Sequence, residues 1–427
     1  MADHLPLPPA IDFRRGGGLF TDLYELTMAR AFDEEGMDGV AVFELYFRSL
    51  PPERNFVVAA GLADALAYLQ HLHFAEDDLA FLRGLGHFPE PFLDRLRRTR
   101  FTGDVYAVPE GTVVFPNEPV LQVVAPILEA QLVETYLLNQ IHFQSVLASK
   151  AARVVLAAGD RKVVEFGSRR AHGADAALQA ARTAYLVGAI GTSNVLAGKL
   201  YGIPTFGTMA HSYIQAHDTE AAAFEAFARL YPGTTLLVDT VDTLDGVRSV
   251  VRLARELGEA FRPKGIRLDS GDLASLAVEA RRLLDAGGLP HVRIFASGGL
   301  DDRDVQRLVR AGAPIDTFGV GTKMVVSRDA PELDFSYKLV EYAGRGRTKL
   351  STGKVIHPGR KQVFRRTEAG AMAGDTVAPH DEPAEGEPLL RPVMRGGAVL
   401  PGARIPLRAA RDHAAAELAR LPAPLRS

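Results

Sequence analysis

The residues able to do chemistry fall where short apolar runs end. KVVEFGSRRAHG delivers Phe166 and the pair Arg169 and Arg170, AIGTSN delivers Ser193, and PTFGTMAHS delivers Thr208 and His211. Further on, KGIRLDSGD delivers Arg267 and Asp269, HVRIFASGG delivers Gly298 and Gly299, and IDTFGVGTK delivers Gly319, Gly321 and Thr322. A guanidinium fork donates two parallel hydrogen bonds and so suits a carboxylate or phosphate. Adjacent arginines in a loop need not face the same way, which leaves one of the pair free to be structural. Glycines let successive backbone N–H groups approach an anion, and two such segments late in one repeating pattern point to phosphate rather than to ordinary turns. A carboxylate at a strand end, as at Asp269, can hold sugar hydroxyls, a Mg²⁺ ion or a developing positive charge; the alternative is helix capping by Ser270 and Asp272 with a surface ion pair. A lone histidine is more often a packed or surface group, but the place of His211 among these anion binders raises a catalytic role above that base rate; His217 lies too far into the next segment. HExxH, Walker and GxSxG motifs are absent, and no side chain is singled out as a metal ligand.

Such delivery needs parallel strands. Val163–Phe166, Ala189–Gly191 and Thr205–Met209 read as buried strands, with a helix from Asp175 to Val187 that Gly188 can stop. The rhythm continues in strands ending at Asp239, Asp269, Gly299 and Lys323, separated by helices such as Thr243–Leu257 and Leu273–Ala286. About seven βα units between Ala130 and Met324 predict an α/β fold: a (β/α) barrel, complete or one strand short, whose ligands sit beyond the strand C-termini.

Around it the pattern differs. Residues 1–15 read as a loosely held arm, and Thr21–Phe32 as a helix with Asp22 and Glu25 spaced for a capping box and Tyr24 in its first turn. A strand is expected over Ala41–Pro51, a helix over Asn55–Leu69, short antiparallel strands over Val105–Pro126, and one long helix from Glu129 to Ala158. After Asp334 come hairpin-like stretches, a loop from Glu368 to Pro388 and a terminal helix. These divisions predict an N-terminal α+β domain over 1–128, a barrel over 129–333, and a segment over 334–427 that packs back on the N-terminal domain.

Composition bounds the rest. The 427 residues are 47% hydrophobic and 24% charged with a net charge of −3, which gives no general attraction for nucleic acid or an anionic membrane. Cysteine is absent, excluding disulfides, thiolate catalysis and Cys-ligated zinc. The N-terminus lacks a signal pattern and no run is long enough to span a bilayer, so a soluble cytoplasmic protein is expected.

Taken in order, TDLYELTM, EFGSRRAHG, GTSNVLAG, GTMAHS, RLDSGDL and GVGTK resemble the nicotinate phosphoribosyltransferase family, over about Thr21 to Tyr342. The resemblance implies a type II phosphoribosyltransferase fold, a homodimer with shared active sites, and a reaction joining nicotinate to phosphoribosyl pyrophosphate (PRPP) with Mg²⁺, in NAD salvage, coupled to ATP hydrolysis. It implies that Phe166 and Tyr24 from the partner subunit sandwich the pyridine ring, that Arg169 holds its carboxylate, and that Ser193 lies near the ring nitrogen, with Thr192 and Asn194 as alternatives. His211 matches the family histidine phosphorylated by ATP; Arg267, Gly298, Gly299, Gly319, Gly321 and Thr322 match binders of the PRPP or product phosphates, and Thr208 joins the substrate-binding set. The cysteine-bound zinc of some members has no counterpart in this chain. Competing readings are a sister enzyme using nicotinamide or quinolinate, and a sugar-phosphate-binding barrel without this transfer.

Overall fold

The structure, a computed structural model, describes residues 17–349 and 357–426. The N-terminal arm and the start of KVIHPGRKQVFRR lie outside the described residues. The chain divides into two compact units: one holds the described residues up to Val146 with Glu332–Pro422, and the other holds Leu147–Pro331 with the last residues from Ala423.

The first unit is built on an antiparallel sheet of seven strands, in the order Arg345–Gly346, Phe335–Tyr342, Val40–Phe47, Leu121–Pro126, Asp104–Ala107, Arg391–Arg395 and Ala398–Val399. Strands from both ends of the sequence therefore share one hydrogen-bonded layer. Val40–Phe47 is buried along nearly its whole length, because Phe43, Leu45 and Phe47 face a large apolar cluster while Val42 packs with Val340 on the other side. Glu44 survives there because Lys361 Nζ reaches it at 2.8 Å and Gln122 donates to it at 2.8 Å.

Local expectations fail here in instructive ways. Helix Leu23–Glu34 has Asp22 at its N-cap position without a side-chain cap, because Glu25 is buried and accepts from Thr135 Oγ1 at 2.6 Å rather than turning back to Asp22. The helix expected from Asn55 is instead a strand at Val57–Val58 followed by helix Leu62–His71. Val133 divides the long helix into Ile127–Leu132 and Glu134–Ala158. The loop expected from Glu368 to Pro388 contains a strand, Ala371–Pro379, paired antiparallel with Lys361–Glu368. Its Gly and Ala content hides it; Arg365 lies opposite Asp375 in that register, and their side chains pair at 2.6 Å while Arg365 also reaches Glu417.

The second unit is a curled parallel sheet of six strands, Gly191–Thr192, Lys162–Glu165, Thr317–Val320, Arg293–Ala296, Gly265–Leu268 and Thr235–Leu237 in spatial order. The seventh expected strand, Thr205–Met209, makes a single parallel bridge from Thr205 to Thr192. Pro204 lacks a donor and Gly207 has no side chain to pack, so the ladder does not extend. Helices of the lengths the sequence implies connect the strands, among them Ala174–Leu186, Thr243–Leu257 and Leu273–Ala286. Among the described residues no helix is long and apolar enough to cross a membrane.

Candidate active site

Because the six strands are parallel, their C-terminal ends lie on one side and bring distant residues together. Asp269 follows Gly265–Leu268 directly. Its Oδ1 accepts from Ser297 Oγ at 2.5 Å and lies 3.2 Å from an Arg267 guanidinium nitrogen, while Oδ2 is 3.8 Å from His211 Nε2. Partial burial pushes this carboxyl up, but the Ser297 hydrogen bond and the Arg267 charge outweigh it, so its pKa lies below the usual aspartate value. The group stays ionised across the neutral range.

Arg267 is held at both ends of its fork. It donates to Thr208 Oγ1 at 2.8 Å and faces Asp269, while its Nε is buried without a hydrogen-bond partner among the described residues. His211 opens the short helix His211–Gln215, and its Nδ1 lies 3.0 Å from Thr240 Oγ1. That contact turns Nε2 toward Asp269 and solvent. Asp239 supports the same corner, since its Oδ2 accepts from the Asp269 amide at 2.9 Å and from Ser270 Oγ at 2.8 Å; its Oδ1 is buried and unpartnered.

The glycine loop after Arg293–Ala296 touches this corner directly. Gly298 has φ +97°, and a Cβ placed on it would lie 1.8 Å from the Asp269 carbonyl oxygen. No other residue type fits without moving one of the two strand ends. Helix Asp302–Arg310 follows, but Asp301 and Asp304 already form its capping box, and Lys323 Nζ is neutralised by Asp304 at 2.8 Å and Asp301 at 3.2 Å. An anion here would rest on the loop amides rather than on that helix end or on Lys323. Behind the loop, Asp302 is buried against Lys150 and Arg153, which anchors the helix start. A cavity of about 580 Å³ lies beside Gly298 and Gly299, with Gly271, Asp272 and Arg307 on its wall.

At the neighbouring strand end, Phe166 stacks on Phe295 with ring centroids 5.5 Å apart. Gly319 lies within Thr317–Val320, and the space its side chain would fill belongs to those two rings; Gly321 abuts the Phe166 carbonyl, with Thr322 beginning the next short helix. Thr192 donates to the buried Glu165 at 2.5 Å, and Asn194 caps helix Val195–Tyr201 through Ala197 N. Ser193 is the neighbour whose hydroxyl has no partner among the described residues. Arg169 and Arg170 form an exposed 3₁₀ turn, neither ion-paired among the described residues. Tyr24 belongs to the first unit, where it is 45% exposed; its burial on one side and the adjacent Glu134 push its hydroxyl pKa up.

Comparison with known proteins assigns this arrangement to a family. Residues 19–142 match the nicotinate phosphoribosyltransferase (NAPRTase) N-terminal domain, and residues 161–357 match the nicotinate phosphoribosyltransferase (NAPRTase) family. Nicotinate phosphoribosyltransferase pncB2 of Mycobacterium tuberculosis is 60% identical over 411 residues, covering 96% of this chain and 89% of that protein. The chain belongs to the nicotinate phosphoribosyltransferase family. The family's Bacillus subtilis enzyme is 43% identical over 383 residues, covering 87% and 78% of the two chains. Crystallised human nicotinic acid phosphoribosyltransferase superposes with a TM-score of 0.84 at 30% identity, covering 95% of each chain. A nicotinate-nucleotide pyrophosphorylase from Pyrococcus furiosus superposes at 0.79 with 26% identity and 98% coverage of each.

Four residues outside the sequence-derived set build the site around the recognised ones. Asp239 and Ser297 also lie at strand ends, so the same positional rule could have found them. Thr240 and Glu165 carry no signal of their own. Their roles, holding His211 and tying two strand ends together, exist only once the strands are adjacent.

Proposed function

We propose that this chain transfers the phosphoribosyl group of PRPP to nicotinate, giving nicotinate mononucleotide and pyrophosphate in NAD salvage. The observation that carries the reading is the joining of His211, Asp269 and Arg267 at strand ends against the Gly298 loop. In the transfer, the pyridine nitrogen lone pair forms the bond to ribose C1 as the C1–O bond to pyrophosphate breaks, its electron pair leaving on that oxygen. Positive charge develops on the ribose ring, and Asp269, kept ionised and fixed by Ser297 and Arg267, stabilises it and orients the ribose hydroxyls. Amides at Gly298, Gly299 and Gly321, with Thr322 and Arg267, receive the phosphates; the buried unpartnered Nε of Arg267 is a donor awaiting an acceptor.

Phe166 supplies one face for the pyridine ring, Ser193 stands near its nitrogen, and exposed Arg169 is available to its carboxylate. Tyr24 from a partner subunit supplies the second ring face. A homodimer is supported by exposed apolar side chains on both units: Leu23 and Met28 beside Tyr24, and Val195, Leu196 and Leu200 on the helix after Ser193.

ATP coupling is assigned to His211. With Nδ1–H donating to Thr240, the Nε2 lone pair attacks the terminal phosphorus of ATP, forming N–P as the P–O bond to ADP breaks; water later hydrolyses the phosphohistidine. Among the described residues no group of three or more acidic or histidine side chains is placed to hold a metal. Mg²⁺ would be carried chiefly by the substrate phosphates, with the unpartnered Asp239 Oδ1 beside Asp269 as a candidate protein oxygen. A Mg²⁺ ion held by those phosphates would supply charge neutralisation to the leaving pyrophosphate.

The test is product formation from PRPP and Mg²⁺ with nicotinate, nicotinamide or quinolinate, each with and without ATP. Nicotinate mononucleotide, made further with ATP and accompanied by ADP, is expected. Turnover of another pyridine in its place would overturn the specificity, and no product from any of them would leave a sugar-phosphate-binding barrel.

A further inference from the structure

Barrels of parallel strands usually fill their interior with layers of bulky branched side chains. Here a cavity of about 610 Å³ runs along the strands inside the sheet instead. Its wall includes Phe206 and Thr208 at the C-terminal side, and Lys162, Lys264 and Arg293 at the opposite side. The register explains the opening. Thr317 lies opposite Lys162, and Gly265 lies opposite both Arg293 and Thr235, so the layer nearest the strand N-termini is made of small residues and long flexible cations. One layer further in, Gly319 gives up its side-chain space to the Phe166–Phe295 stack.

The side chains at the N-terminal mouth are basic, with no counter-charge against them among the described residues. Lys162, Lys264 and Arg293 are all exposed, and none is ion-paired among the described residues; the His291 ring lies beside them. Some exposed arginines elsewhere do find a carboxylate, as Arg229 does in Glu225 and Arg282 in Glu279, whereas these basic groups converge on one opening without one. A collar of uncompensated positive charge around the mouth of a low-dielectric, aromatic-lined passage focuses field on a small anion. A flat aromatic carboxylate matches both parts: its charge suits the collar, and its ring suits Phe295 and Phe166 within.

We propose that the N-terminal mouth of the barrel is a second, anion-selective port through which the pyridine carboxylate reaches its site. This rests on the reading of the chain as a nicotinate-using enzyme. The port has a kinetic purpose. Once PRPP covers Asp269 and the Gly298 loop, the C-terminal ends of the strands are obstructed, whereas the passage behind Phe166 stays open to the acceptor.

The absence of cysteine makes the port testable, because one introduced cysteine can be labelled uniquely. Lys264→Cys is measured before and after coupling to a bulky maleimide, with Glu279→Cys on helix Leu273–Ala286 as the labelled control. Labelling at 264 is expected to lower kcat/KM for nicotinate about tenfold or more while KM for PRPP is unchanged, and labelling at 279 to change neither. Independently, the double variant Lys162→Glu/Lys264→Glu is expected to flatten or invert the fall of nicotinate kcat/KM with ionic strength. Unchanged nicotinate kinetics in the fully labelled Lys264→Cys protein would overturn the port, as would an equal loss toward both substrates or an unaltered salt dependence. Failure of the unmodified protein to make nicotinate mononucleotide would be a different result, removing the functional reading itself.

Discussion

Two adjacent glycines allow the geometry of the site to be tested at a single atom. At Gly298 an added Cβ would sit 1.8 Å from the Asp269 carbonyl oxygen, whereas at Gly299 it would meet nothing within 4 Å; both have positive φ, +97° and +70°. Positive φ alone costs a non-glycine residue about 1–2 kcal/mol. Gly299→Ala should therefore lose only about that much stability and little activity. Gly298→Ala must in addition open the contact to about 3.0 Å, an opening of about 1.2 Å between the backbone segments that carry Asp269 and the Gly298 loop. A displacement of about 1 Å at reacting groups can cost about 100-fold in rate. The expected pair of results is a kcat/KM for PRPP reduced about 100-fold in Gly298→Ala and less than about threefold in Gly299→Ala, with urea unfolding to show that both remain folded. Equal kinetics in the two folded variants would refute the claim that the loop and Asp269 are held in register by this contact.

Thr240→Val removes the partner of His211 Nδ1 while keeping the shape of the side chain. ATP-stimulated product formation is expected to fall about tenfold or more with the ATP-independent rate nearly unchanged, read in parallel assays with and without ATP; equal losses in both would count against an orienting role. Removing the Ser297 hydroxyl with Ala takes away the largest influence that lowers the Asp269 pKa, so the acidic limb of the pH profile of kcat/KM should move to higher pH, and an unmoved limb would contradict the assignment. In the first unit, burial and the neighbouring Asp375 push Glu118 up to about 8, so the fold retains a proton that the unfolded chain loses near pH 4.5. Stability from this group is full below that pH and is lost as pH rises toward 8; Glu118→Gln is expected to gain about 2 kcal/mol over the parent at pH 8 and little at pH 5, and a pH-independent difference in denaturant unfolding would exclude this cause.

The site was legible in the sequence where chemistry and strand ending coincide. Arg267 lies within GIRL and Asp269 directly follows it, so the rule that parallel strands present ligand groups at their C-termini was enough to gather those two; His211 was gathered by the same reading, although the run before it makes only one bridge. What the residues could not announce is partnership. Thr240 looks like any polar residue after a strand until His211 is brought beside it, and Ser297 becomes more than a loop serine only when Asp269 lies 2.5 Å away. The same limit explains the misread elements. Ala371–Pro379 is a strand because Arg365, buried in the facing strand, needs Asp375 opposite it, while its own composition reads as loop. Thr205–Met209 has strand-like composition, yet Pro204 and Gly207 leave it one bridge.

The barrel interior makes the point most sharply. Lys162, Thr235, Gly265, Arg293 and Thr317 are unremarkable strand starts when read one at a time, and ordinary patterning assigns them to the rim of a packed core. Only the parallel register puts them in one layer, where small side chains leave the passage open and the lysines and arginine stand at its mouth without counter-charges among the described residues. A barrel that only had to hold strand ends in place would gain from filling that space, since each buried methylene is worth about 0.8 kcal/mol. That stabilisation has been left unused along the passage, and the pattern of what was left out, small near the strand starts and aromatic near Phe166, is what the proposed port for a flat anionic ring requires.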